Sequence, residues 1–126
     1  MISKITNGVS IQVVVNYNSI SSNSFKHFFH YTITIENHSI DEIKLIRRQW
    51  FITDSLNLKY KVEGIGVIGE QPELTTGEVF TYTSGTEIKG EFGEMFGNYQ
   101  FLNTKTGAFF NVEIPKFKLE VPYALN

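Results

Sequence analysis

Between Phe29 and Glu36 apolar and polar residues alternate one for one, the signature of an extended strand with one face in a core. Phe29, Tyr31, Ile33 and Ile35 form one face, and His30, Thr32, Thr34 and Glu36 the other. A helix repeats every 3.6 residues and would scatter these side chains around its axis. The same alternation appears in Ile11, Val13, Val15 and Tyr17, interleaved with Gln12 and Asn16. Further strands are predicted over 43–53, over 58–63, and around Val79, Thr81 and Thr83 between Gly77 and Gly85. Residues 95–102 and 108–114 are predicted to form a hairpin across 103–107, where Gly107 supplies a positive φ. After it the apolar phase changes, from Phe110, Val112 and Ile114 to Phe117, Leu119 and Val121. Pro115 lies at that switch, which predicts a bulge or an edge strand. Helical periodicity is confined to one turn at most, over 41–47.

Seven to eight short strands in 126 residues predict one all-β domain over 1–126, an antiparallel β-sandwich of the immunoglobulin-like type. Trp50 sits on the third predicted strand, where such sandwiches bury a tryptophan. The segment around Tyr99 has the form of a tyrosine corner, with Phe101 where antibody domains carry cysteine. With no cysteine, eleven Phe and six Tyr must hold the sheets together. Each buried ring contributes roughly 2–3 kcal/mol, comparable with a disulfide.

Several functional classes are disfavoured from the outset. A formal charge of −2 with no run of Lys or Arg lacks the basic stripe that nucleic-acid binding needs. No apolar run approaches a membrane span, and the N-terminus has no signal-peptide core, so a cytoplasmic setting is expected. There is no G-x-S-x-G elbow at Ser84, no Cys nucleophile, no H-E-x-x-H and no P-loop lysine. No catalytic residue, cofactor or metal site is therefore assigned, and an enzyme is not expected. His27 and His30 lie three apart on a strand and face opposite ways. His38 and Asp41 share a turn without a third ligand, so they read as a polar capping pair.

Gly64, Gly66 and Gly69 spell the G-x-G-x-x-G of phosphate-binding loops. In such loops the glycines open a helix whose N-terminus holds the phosphate. Here Glu70, Gln71 and Pro72 follow, then two threonines and Gly77, which leave no room for a helix to propagate. Two readings remain for the run: a nest of backbone N–H groups for an anion, or bare glycines that let another backbone approach. Arg47, Arg48 and Glu70 are the candidate side chains to complete a ligand site with the glycines. Alternation places Arg48 on the core face with Trp50 and Ile52. A bulge turns it outward, Glu70 pairs with it inside, or it lies over aromatic surface.

Taken in order, several motifs resemble the bacterial ApaG family. They are Tyr31-Thr32-Ile33-Thr34-Ile35-Glu36-Asn37, Arg48-Gln49-Trp50 with Ile52-Thr53-Asp54, and Gly64 through Pro72. Tyr82-Thr83-Ser84-Gly85 and Gly93-Glu94-Met95-Phe96-Gly97-Asn98-Tyr99 complete the set. The likeness runs from about residue 5 to 122, with Thr76 where the family usually has proline. The resemblance implies an immunoglobulin-like or fibronectin-III-like sandwich and a bacterial cytoplasmic protein linked to cobalt and magnesium homeostasis. It also implies a protein-recognition module, so the expected partner is an unidentified protein, with the chain a monomer or weak homodimer. The alternative is a sensor of pyrophosphate-like or nucleotide anions, with a divalent metal, at Gly64–Gly69.

Overall fold

The computed structural model describes residues 1–122; residues 123–126 of the expected domain lie outside the described residues. Nine strands run in chain order: β1 (Ile2–Thr6), β2 (Val9–Asn18), β3 (His27–Asn37), β4 (Ile43–Asp54), β5 (Leu58–Ile65), β6 (Glu73–Leu74), β7 (Val79–Ile88), β8 (Phe92–Asn103) and β9 (Phe109–Glu120). One antiparallel sheet has the order β1-β2-β3-β7, and the other β5-β4-β8-β9 with β6 also on β4. They face each other as an immunoglobulin-like sandwich, as the alternation predicts. No helix of the described residues is long and apolar enough to cross a membrane.

Two strands escaped the sequence reading. β1 is only five residues long and almost wholly exposed, so it shows no buried face. It pairs with β2 through Asn7 and Gly8, both left-handed, a hairpin turn that Asn-Gly favours. β6 has two residues, too few to show a period. β7 also extends beyond Gly85 to Ile88, and residues 43–47, where one helical turn was allowed, are strand.

β9 is the edge strand and carries a bulge opposite Met95 and Gly97, so both expectations for Pro115 hold. Ile114 and Pro115 are buried in succession, which reverses the apolar phase. The β9 edge is guarded by β1: Asn7 donates to the Asn111 carbonyl, and Lys4 pairs with Glu113. Among the described residues nothing equivalent covers the opposite side, where β7 and β5 end their sheets.

The core is welded by rings. Trp50 on β4 meets Tyr31 on β3 at 5.2 Å, Phe117 at 6.0 Å and Tyr99 at 6.4 Å between centroids. The Tyr99 hydroxyl bonds the Tyr82 hydroxyl across the sandwich. A tyrosine corner would instead bond backbone, so Tyr99 is a bolt between sheets. Burial raises the phenol pKa of Tyr82, Tyr99 and Tyr31, because a phenolate away from water is unfavourable.

Two buried polar side chains fasten the loops at the ends. Asn37 donates to the Asp41 and Leu74 carbonyls, both at 2.9 Å, and accepts from the Ser39 N–H. Asp54 accepts from the N–H groups of Leu56, Lys89 and Gly90, at 3.1, 2.7 and 2.9 Å. Asp54→Ala should cost roughly 2–4 kcal/mol in urea unfolding, because it strands buried donors; a loss under roughly 0.5 kcal/mol would refute the clamp. The tyrosines set an alkaline limit. The native state keeps phenolic protons that the unfolded chain sheds above about pH 10. Stability is thus full below that pH and falls as pH rises, by about 1.4 kcal/mol per unit for each such tyrosine. Tyr82→Phe should flatten the slope measured between pH 9 and 11.

Candidate functional site

The glycine run sits where β4 changes neighbours. Along one edge β4 pairs with β5 over Arg47–Asp54 and then with β6 at Lys44 and Ile43, in the same antiparallel sense. A bulge between Leu45 and Arg47 marks the exchange. The Ile46 carbonyl there accepts from the Gly66 N–H at 2.8 Å and from Gln71 Nε2 at 3.2 Å. The Leu45 N–H donates to the Pro72 carbonyl at 3.0 Å. Residues 66–72 therefore form a tight excursion that leaves the edge and returns to it.

Each glycine of the motif has its own structural task. Val67 and Glu70 exchange both backbone hydrogen bonds around Ile68 and Gly69, whose φ values of 42° and 78° make a two-residue hairpin turn. At Gly66, φ is 65° and a Cβ would lie 2.1 Å from the Glu70 carbonyl oxygen, so only glycine fits. Gly64 is on the strand, directly opposite Arg48, and a Cβ there would lie 3.0 Å from Arg48 Nη1. Gly66 thus admits another backbone, as the second reading expects, whereas Gly64 makes room for a side chain. One receives a guanidinium and the other a carbonyl. The Gly66, Val67 and Glu70 N–H groups, which an anion nest would need, are engaged within the protein.

Arg48 does face inward with Trp50, as strict alternation predicts, but Glu70 is not its partner. Its Nη1 donates to the Ile65 and Gly66 carbonyls at 3.2 and 3.0 Å. Carbonyl dipoles at the end of β5 take the place of the expected carboxylate, and Glu70 is exposed. Arg47 projects on the other face and is exposed. Pro72 contributes its carbonyl to the edge, and Trp50 and Tyr99 are core residues.

Arg48 closes one end of a cleft of about 140 Å³ between the open edges of the two sheets. Tyr31 from β3, Ser84 from β7, Trp50 from β4, Val62 from β5 and Met95 from β8 line it. Tyr31 and Ser84 are opposite in register, and the Ser84 side chain opposes the upward push of burial on the Tyr31 phenol pKa. Arg48 exerts a favourable field on the oxygens of Tyr31, Tyr82 and Tyr99, opposing the upward push of burial. Trp50 is 2 % exposed, and its Nε1 has no acceptor among the described residues. Sequence reading missed Tyr31, Ser84 and Val62 as neighbours of Arg48, because they come from three strands distant in the chain. Only the motif Tyr82-Thr83-Ser84-Gly85 hinted at Ser84.

The remaining candidates do not converge. His38 pairs with Glu36, and Asp41 accepts from Asn103 Nδ2 at 3.0 Å, so they are not a mutual capping pair. His27 is buried, whereas His30 on the opposite face bonds Asn18 at 3.0 Å. Among the described residues no three His, Cys, Asp or Glu side chains gather as metal ligands.

Residues 17–103 match the family described as the ApaG domain. The chain is 41% identical over 120 residues to Protein ApaG of Vibrio vulnificus strain YJ016, covering 94% of each. Among solved structures, the X-ray structure of a Northeast Structural Genomics Consortium target superposes with a TM-score of 0.89 at 36% identity, over 98% of this chain and 94% of that one. A crystal structure of a Bordetella pertussis protein named ApaA gives a TM-score of 0.87 at 34% identity, over 90% and 94%.

The division of labour among the glycines has a direct test. Gly66→Ala should cost roughly 3 kcal/mol or more, through backbone strain and collision with the Glu70 carbonyl. Gly64→Ala meets only the movable end of Arg48 and should cost roughly 1 kcal/mol. Equal losses in chemical unfolding would contradict these separate roles.

Proposed function

We propose, on the premise that this chain belongs to the ApaG domain family, that it is a non-enzymatic module that binds a protein partner along β5. The observation that carries this reading is the state of that strand. β5 is eight residues long and ends its sheet, so one row of its backbone N–H and C=O groups faces no neighbouring strand among the described residues. The facing sheet stops at β7 and leaves Tyr60 37% and Val62 44% exposed on the inner side. Ile65, opposite Arg47 on the outer face, and Ile68 in the turn add exposed apolar side chains at the end of the strand, at 67% and 56%. An added strand would gain backbone hydrogen bonds from the edge and side-chain contacts from these residues. Lys59, Lys61 and Glu63 on the same strand are the charges that keep such an edge from pairing indiscriminately.

The β9 edge is a poorer candidate because β1 lies beside it. An anion sensor at the glycine turn finds little support, since three of its N–H groups bond to protein carbonyls. The cleft lining has no carboxylate or imidazole to serve as an acid or base, which supports a binding role over catalysis. In this reading any influence on cobalt and magnesium homeostasis is indirect and passes through the partner. The setting proposed is the bacterial cytoplasm.

A photo-cross-linking residue placed at Val62 should capture a discrete protein in cells, whereas one at exposed Ile20 should not. Val62→Lys should lower capture at least about tenfold while moving the melting midpoint little, as expected for a surface change. Equal adducts from both positions would overturn the edge-strand reading, and phosphoanhydride turnover that survives repurification would overturn the non-enzymatic one.

A further inference from the structure

The side of the sandwich left open between β5 and β7 also holds donors for which the described residues offer no acceptor. The indole N–H of Trp50 is buried without an acceptor among the described residues. Such a group loses its hydrogen bond to water and receives nothing in return, which is why few are found in native proteins. Trp50 lines the same small cleft as Arg48, Tyr31 and Ser84. The Arg48 guanidinium has five N–H donors, and the hydrogen bonds it makes among the described residues both come from Nη1. No Asp or Glu lines the cleft, so one positive charge stands there without a counter-charge.

Three properties narrow what would complete this arrangement. The donors call for an acceptor rather than another donor. The single guanidinium balances one negative charge and would leave a dianion half compensated in a partly desolvated place. The volume, about 140 Å³, is well below that of sites for whole cofactors or nucleotides. Ile52, Val62 and Met95 supply an apolar wall beside the donors, suited to a few methylene or methyl groups. We propose that the inter-sheet cleft binds a small monocarboxylate, with its oxygens on the Arg48 guanidinium and the Ser84 hydroxyl and its short apolar part against Val62 and Met95.

The cleft shares Val62 with the β5 edge, but its test uses no protein partner, so it stands or falls independently of the partner-binding proposal. The Ser84 hydroxyl lines the cleft opposite Tyr31 in register and can turn its proton towards a bound oxygen. Arg48 has a double attachment: Nη1 holds the end of β5 through two carbonyls, which fixes the guanidinium before any ligand arrives. A pre-positioned donor loses less entropy on binding than a free one.

Trp50 is the only tryptophan in the chain, so its emission reports on the cleft alone. Purified full-length protein would be titrated with propionate at constant ionic strength, with propionamide and inorganic phosphate in parallel. Propionate should give a saturable change in Trp50 emission, propionamide none, and phosphate a response at least about tenfold weaker in affinity. Arg48→Gln should weaken propionate at least about tenfold, and Ser84→Ala, which leaves the β5 anchor intact, about two- to fivefold. If Arg48→Gln does not fold, the Ser84→Ala titration and the propionamide comparison decide the matter. No saturable change with propionate would overturn the proposal. So would equal responses to propionate and its amide, or tighter binding of phosphate.

Discussion

A single carbonyl, that of Ile46, governs the open side of this sandwich. The bulge in β4 withdraws it from the regular ladder, and a buried carbonyl without a donor is costly. Gly66 and Gln71 supply the two donors, and their positions fix where β5 must stop and where β6 must begin. The excursion from 66 to 72 then has to reverse within a few residues. That requirement explains the left-handed residues at 66, 68 and 69 and the chain passage too close to Glu70 for any side chain at 66. A sequence that looks like a phosphate loop is thus a device for interrupting one strand at the edge of a sheet.

The same bulge sets the phase of the second half of β4. Residues 43 and 45 are buried before it, and 50, 52 and 54 after it. Arg48 consequently falls on the core face beside Trp50, and its charge has to be accommodated there. Gly64 makes the space and the two carbonyls at the end of β5 receive Nη1. The edge turn and the cleft are therefore one construction: the glycines that shape the first also position the cation of the second. The β1 and β9 side shows the contrast, since there a hairpin strand and an ion pair close the gap.

The two functional proposals use different chemistry on this open side. Along β5 the resource is backbone, a row of N–H and C=O groups with Tyr60 and Val62 beside it. Within the cleft it is side chains, a guanidinium and a hydroxyl held in place by the fold. A strand added at the edge would pass near Val62, which belongs to both surfaces. Occupancy of one is thereby placed to influence the other.

What the amino-acid order settled by itself was local and periodic. The alternation in 29–36 specified β3 and its buried face, the phase change at Pro115 specified the bulged edge of β9, and Pro72 excluded a helix after the glycines. Asn7-Gly8 carried an equally legible hairpin signal for β1, overlooked because the strand it opens from has no buried face. Arg48 facing inward was also legible, since alternation needs no knowledge of neighbours. Its partners were not. The Ile65 and Gly66 carbonyls reach it only when β5 pairs with β4, and Tyr31 and Ser84 only when the facing sheet stacks on it, so Glu70, chosen for its place beside the glycines, was the wrong partner. Local order determines which way a side chain points, because that depends on the backbone period of its own strand. What it points at is decided by tertiary structure, because the facing groups arrive from β3, β5 and β7, and nothing within β4 encodes their register.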